Sequence, residues 1–186
     1  MLPFSLKEFI EINNLGDNLE RDYRQYIETT SFPYVHNLSQ AGDQISQYLR
    51  SIYNSVVLKD IIQRRNISDV MMLERIFRFL SDNNGGLLST KKISDTMNSF
   101  GRSINVRTVE SYIDAFLESY VIYQAKRYDV KGKQYLKTLE KYFIVDIGLR
   151  NEILSADRAR DIGHILENVI YLELIRRGYD YFCWEG

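Results

Sequence analysis

Apolar residues recur at helical spacing through most of the chain, and the longest such stripe lies in its first third. Ile45, Tyr48, Leu49, Ile52, Tyr53, Val56, Val57 and Ile61 follow the i, i+3, i+4, i+7 rule, which predicts one long amphipathic helix. Its polar side carries Arg50, Lys59, Asp60, Arg64 and Arg65. Upstream, Ser5-Leu6-Lys7-Glu8 has capping-box spacing and leads into an apolar face of Leu6, Phe9 and Ile10. Asp17 is placed to cap a second helix with Tyr23, Tyr26 and Ile27 on one side. Pro33 predicts a break there, because proline disfavours helix in the residue before it.

Residues 68–143 change period in an ordered way. Ser68 is placed to cap a helix with Leu73, Ile76, Phe77 and Leu80 inward, stopped by Asn83-Asn84-Gly85-Gly86. Leu87-Leu88 reads as a short strand, and Ser89 caps a helix bearing Ile93 and Met97. After a turn at Phe100–Ser103, a third helix runs from about Asn105 to Glu118. Val109, Tyr112, Ile113, Phe116 and Leu117 face inward. Tyr120–Tyr128 and Tyr135–Val145 read as a hairpin around Asp129–Lys133. Helix, strand, helix, helix, hairpin is the order of a winged helix-turn-helix. A short helix around Leu149–Leu154 follows, then a longer one from about Ile162 to Arg177, with Gly178 as its cap and a strand starting at Tyr179.

Charge changes the picture modestly. Of 186 residues, 45% are hydrophobic and 26% charged, with a formal net charge of −1. Residues 70–145 hold twelve Lys/Arg against eight Asp/Glu, while both flanks are net acidic. A mildly basic middle suits a weak nucleic-acid binder or a plain solvated face. No apolar run is long enough for a membrane span, and the start lacks a signal-peptide pattern. One cysteine, Cys183, allows neither a disulfide nor a thiolate zinc site within the chain, which fits a cytoplasmic setting. No G-x-S-x-G occurs, Cys183 has no evident base, and no P-loop pattern is present.

Three groups of side chains carry candidate chemistry. Lys59, Arg64 and Arg65 form either a solvated face with an Asp60–Arg64 pair or a phosphate or inter-subunit contact. The third helix points Arg107, Glu110, Ser111, Asp114 and Glu118 outward, and three carboxylates there would repel DNA phosphate. The hairpin is better supplied, with Lys126, Arg127, Lys131, Lys133 and Lys137.

Five stretches in order resemble one family. They are Pro3–Phe9, Leu58-Lys59-Asp60-Ile61, Thr108–Tyr112, Lys141–Arg150 and Leu166–Leu174. Together they look like the predicted AAA+ ATPases of bacteria and archaea that end in a restriction-endonuclease-like domain of unknown function. The resemblance implies ATP and magnesium for the full-length family, and a phosphate loop upstream of the stretch like Pro3–Phe9. That loop is not in this sequence, so the chain is expected to hold no cofactor and to have no ATPase activity. The resemblance also implies an endonuclease-like segment in which Glu167, with Asp180 and Glu185, is a metal-binding candidate against a structural role. Glu173 with Arg176 and Arg177 reads as an ordinary helix charge pair.

The expectation is a mostly helical α+β protein. It has a helical segment at 1–67, a winged-helix-like domain at 68–145, and the truncated start of an endonuclease-like domain at 146–186. The expected function is non-catalytic interaction and coupling, with a protein partner or the missing ATPase core. The alternatives are weak, sequence-tolerant nucleic-acid binding and a remnant metal-dependent nuclease. The aromatic C-terminal strand, Tyr179–Trp184, suggests a homodimer.

Overall fold

The computed structural model describes residues 2–38, 42–129, 134–155 and 162–179. The chain is α+β and mostly helical. Helices α1 (Leu6–Ile12) and α2 (Leu19–Glu28) lead through a 3₁₀ turn at Pro33–Asn37 into α3 (Gly42–Ile52). Serine and glutamate close the capping box on α1, with Ser5 N–H donating to Glu8 at 2.8 Å. Asn18, one residue beyond Asp17, caps α2. Buried Asp22 accepts the Gly16 N–H at 2.9 Å and so fixes the loop between the two helices.

The long helix expected over 45–61 is interrupted. A π-helical stretch, Tyr53–Asp60, joins α3 to α4 (Ile61–Arg65). On a regular α-helix Leu49 and Ile61 would point about 120° apart. The wider i→i+5 turns delay the rotation, and both residues are buried.

Helix α5 (Val70–Asp82) is capped by Asp69 rather than Ser68. Strand β1 (Leu87–Leu88), α6 (Thr90–Ser99), α7 (Val106–Glu118), β2 (Ile122–Asp129) and β3 (Gln134–Ile144) follow. Ser89 and Asn105 cap α6 and α7 with their side-chain oxygens. The sheet is antiparallel in the order β1-β3-β2, with Leu88 opposite Glu140 and Tyr123 opposite Phe143. A register shift between Ala125 and Arg127 bends the hairpin. Finally come α8 (Ile147–Leu154) and α9 (Ile162–Arg176). The chain turns out of α9 at Gly178, whose φ of +77° suits a residue without a side chain.

One buried cluster runs through all of these elements. Phe9, Leu49 and Ile61 from the N-terminal helices, Ile76, Phe77, Val109 and Phe116 from α5 and α7, and Leu149 and Ile165 from α8 and α9 belong to it. A smaller cluster of Ala125, Phe143, Tyr171 and Leu172 seats α9 on the sheet, where the Phe143 and Tyr171 rings stack at 4.1 Å.

Candidate functional site

A seam of buried polar groups fixes the N-terminal helices against α8, and α9 against β3. Asp146, at the N-cap of α8, is fully buried. Its carboxylate accepts from Thr30 Oγ1 (3.0 Å), Ser31 N (2.8 Å), Ser31 Oγ (2.7 Å) and Leu149 N (2.7 Å). Burial pushes this carboxyl above its usual value, while the donated hydrogen bonds pull the other way. Next to it, Gly148 lies against the backbone of Thr29, where a Cβ would fall 1.8 Å from the carbonyl oxygen. Buried Arg150 donates to the Ser81 carbonyl at 2.8 Å, and Asn151 to that of Ile27 at 3.1 Å. Asn84 and Asn168 take the Ile144 N–H and C=O, each at 3.0 Å. The stretch 146–151 thus has a structural role, its side chains meeting the backbone of Ile27, Ser31 and Ser81.

Outside this seam, α1 and α2 stand away from α9 and leave an apolar groove of about 820 Å³. Leu6, Ile10 and Tyr23 form one wall; Leu166, Val169 and Ile170 form the other. Ile162, Leu166 and Ile170 make an exposed stripe at i, i+4, i+8, with Leu166 and Ile170 at 45% and 49% exposure. On α2, Leu19 is 66% exposed at the edge of the groove. The groove is closed at one end by Arg176, which donates to the Pro3 carbonyl at 2.5 Å and lies 3.5 Å from Glu8. Tyr26 spans the floor, its hydroxyl on the Phe4 carbonyl at 2.9 Å. Burial raises that phenol to about 12. Sequence reading missed this groove, since Leu166 and Ile170 look like core residues until α9 is seen to bury its opposite side.

The candidate residues are dispersed. Arg64 bonds Asp60 and the Ser119 hydroxyl, both at 2.6 Å, and Arg65 pairs with Glu118, so both tie α4 to the end of α7. Lys59 is exposed. Arg107, Glu110, Ser111, Asp114 and Glu118 all face outward on α7, as the spacing predicts. Lys126 is exposed on β2. The side chains of Arg127 and Lys137 are not described, and Lys131 and Lys133 lie outside the described residues. Glu167 accepts Lys141 Nζ at 2.5 Å and lies 3.8 Å from His164 Nδ1. Glu167 is thus paired with an ammonium. Asp180, Cys183 and Glu185, and with them the strand expected at Tyr179–Trp184, lie outside the described residues beyond Tyr179. Among the described residues, no group of three or more His, Cys, Asp or Glu side chains is placed to hold a metal ion. Arg176 and Arg177 pair with Glu173 at 3.4 and 2.7 Å, as expected. No helix among the described residues is long and apolar enough to cross a membrane.

Residues 20–160 match the family described as Domain of unknown function (DUF8612). The chain belongs to that family. The resemblance to AAA+ ATPases is thereby corrected: the matching family is DUF8612, and no ATPase family matches. The five motifs that suggested it include the DUF8612 stretch Lys141–Arg150, whose Asp146, Gly148 and Arg150 have the packing roles given above. The ATP and magnesium implied for longer family members lose their support with it. An uncharacterised protein of Haemophilus influenzae is 36% identical over 181 residues, covering 95% of this chain and 44% of that protein. The uncharacterised protein MJ1544 of Methanocaldococcus jannaschii is 26% identical over 194 residues, 96% of this chain and 42% of that protein. The DUF8612 chain spans less than half the length of these curated relatives. No solved structure matches it.

Proposed function

We propose that this chain is a non-catalytic protein-interaction module, and that its working surface is the groove between α1–α2 and α9. The observation that carries the reading is the exposed pair Leu166 and Ile170 lining the groove with Leu19 and Ile10. Apolar surface in a concave site is released from water when a partner covers it, at about 25 cal/mol per Å². The two walls are tied together, because Tyr26 of α2 bonds the Phe4 carbonyl and Arg176 of α9 bonds the Pro3 carbonyl. A pre-organised groove loses little entropy on binding.

Residues 68–145 we read as a winged-helix-like unit beside this surface, supported by the element order and the β1-β3-β2 sheet. A second reading is weak, sequence-tolerant nucleic-acid binding through the hairpin. Exposed Lys126 and Arg107 favour it; the outward carboxylates Glu110, Asp114 and Glu118 on α7 oppose it. The endonuclease reading of residues 146–186 has the least support, since Lys141 already neutralises Glu167.

Selection of displayed random peptides against the chain tests the main reading. Binders are expected to carry apolar residues at i, i+3 or i+4 spacing and to lose affinity for Leu166→Glu/Ile170→Glu. Binders that ignore this double substitution would show that the groove is not the working surface.

A further inference from the structure

We infer that the occupant of the groove between α1–α2 and α9 is a second copy of this chain, paired with the first about a two-fold axis. This rests on the interaction-module reading above and names its partner.

The apolar surface has the extent a dimer needs. Leu19, Leu166, Ile170 and Tyr179 line the groove, and Ile162 extends the α9 stripe by one turn. These side chains are each 45–66% exposed. At roughly 100 Å² apiece they offer about 500 Å² of apolar surface per protomer. A stable interface covers about 800 Å² per partner, about 60% of it apolar, which is again about 500 Å².

The shape closes on itself. Helix α9 is one wall of the groove and also a ridge with an apolar stripe. With two chains face to face, α9 of each lies over the groove of the other. Leu166 and Ile170 of one copy then meet Leu6, Ile10 and Leu19 of the other, and the reverse contact follows by symmetry.

Charge fits the same occupant. Lys7 and Glu11 on the α1 wall pair at 3.8 Å, and Glu173 and Arg177 on the α9 wall at 2.7 Å. Arg176 lies 3.5 Å from Glu8 and 3.4 Å from Glu173. Each wall nearly cancels its own charge, so α9 of one copy meets α1 of the other without like-charge repulsion. The formal net charge of −1 opposes association little. A strongly acidic or basic partner would find no matching field there.

The test is sedimentation velocity of the chain between roughly 1 and 100 µM. A monomer–dimer equilibrium in the micromolar range is expected, weakened about 100-fold or more by Leu166→Glu/Ile170→Glu. Hydroxyl-radical footprinting of the unsubstituted chain reads the same contact without a variant. Leu19, Leu166 and Ile170 should gain protection with concentration, whereas Met71 and Phe100, exposed away from the groove, should not. If the double variant does not fold, the footprint decides alone. A monomer throughout overturns the inference, and peptides that still select the groove would then leave the interaction-module reading standing. A dimer that survives the double substitution, or protection that falls away from the groove, places the contact on another surface and also overturns it.

Discussion

Asp146 accepts both the backbone N–H and the hydroxyl of Ser31, at 2.8 and 2.7 Å, across 115 positions of sequence. The same carboxylate caps α8 through Leu149. One side chain thus holds the stretch after α2 and the start of α8 in register.

Asp146→Ala should accordingly cost about 3 kcal/mol, because it leaves buried N–H donors of Ser31 and Leu149 without acceptors. Urea unfolding followed by circular dichroism measures it. Asn at the same position keeps one acceptor oxygen and should fall between the two. A loss within about 0.5 kcal/mol for Ala would mean that water or a neighbour replaces the carboxylate.

Gly148 and Gly163 make a contrasting pair. A Cβ at Gly148 would fall 1.8 Å from the Thr29 carbonyl oxygen, a backbone atom that cannot swing away. Gly148→Ala should cost about 3 kcal/mol or more. At Gly163 nothing lies within 4 Å of the added carbon. Gly163→Ala, near the start of α9, should stabilise by about 0.5 kcal/mol through reduced freedom of the unfolded chain. Thermal melts of both variants decide it.

Much of the fold was legible because local signals agreed with the final packing. The Ser5–Glu8 box, the Ser89 cap and the hairpin near Asp129 all stand where their spacing placed them. The π stretch was not, since Tyr53–Asp60 keeps a helical apolar pattern whether it winds by four or five residues. Neither was the seam. Asp146 and Thr30 belong to separate local patterns, and nothing local says that a glycine in α8 is there for Thr29. The groove depends on which side of α9 the sheet covers, and sequence periodicity leaves that choice open.

Tyr26 and Tyr53 should stand apart in an alkaline titration. Burial raises both phenols to about 12, against an ordinary value near 10. Between those values the folded chain keeps protons that the unfolded chain loses. Their contribution to stability is therefore full below pH 10 and is lost as pH rises through about 12. Absorbance near 295 nm should show exposed tyrosines ionising first and these two, with Tyr142, whose phenol burial also raises, late or with unfolding. Tyr26→Phe should remove part of that late phase.

The Arg65–Glu118 pair joins α4 to α7 at the surface, with side chains 36% and 54% exposed. A double-mutant cycle with alanine should give a coupling below about 1 kcal/mol. A larger coupling would make this contact a principal clamp between the N-terminal helices and α7.

The groove itself is tested most directly by titrating the chain with an apolar fluorescent probe, anilinonaphthalene sulfonate, beside a labelled DNA duplex at low and high salt. The expected result is saturable probe binding that Leu166→Glu/Ile170→Glu abolishes and Arg107→Ala/Lys126→Ala leaves intact, with circular dichroism unchanged throughout. Duplex binding should be weak or undetectable. Probe binding unaffected by the groove substitutions, together with tight, salt-steep duplex binding lost in Arg107→Ala/Lys126→Ala, would contradict it.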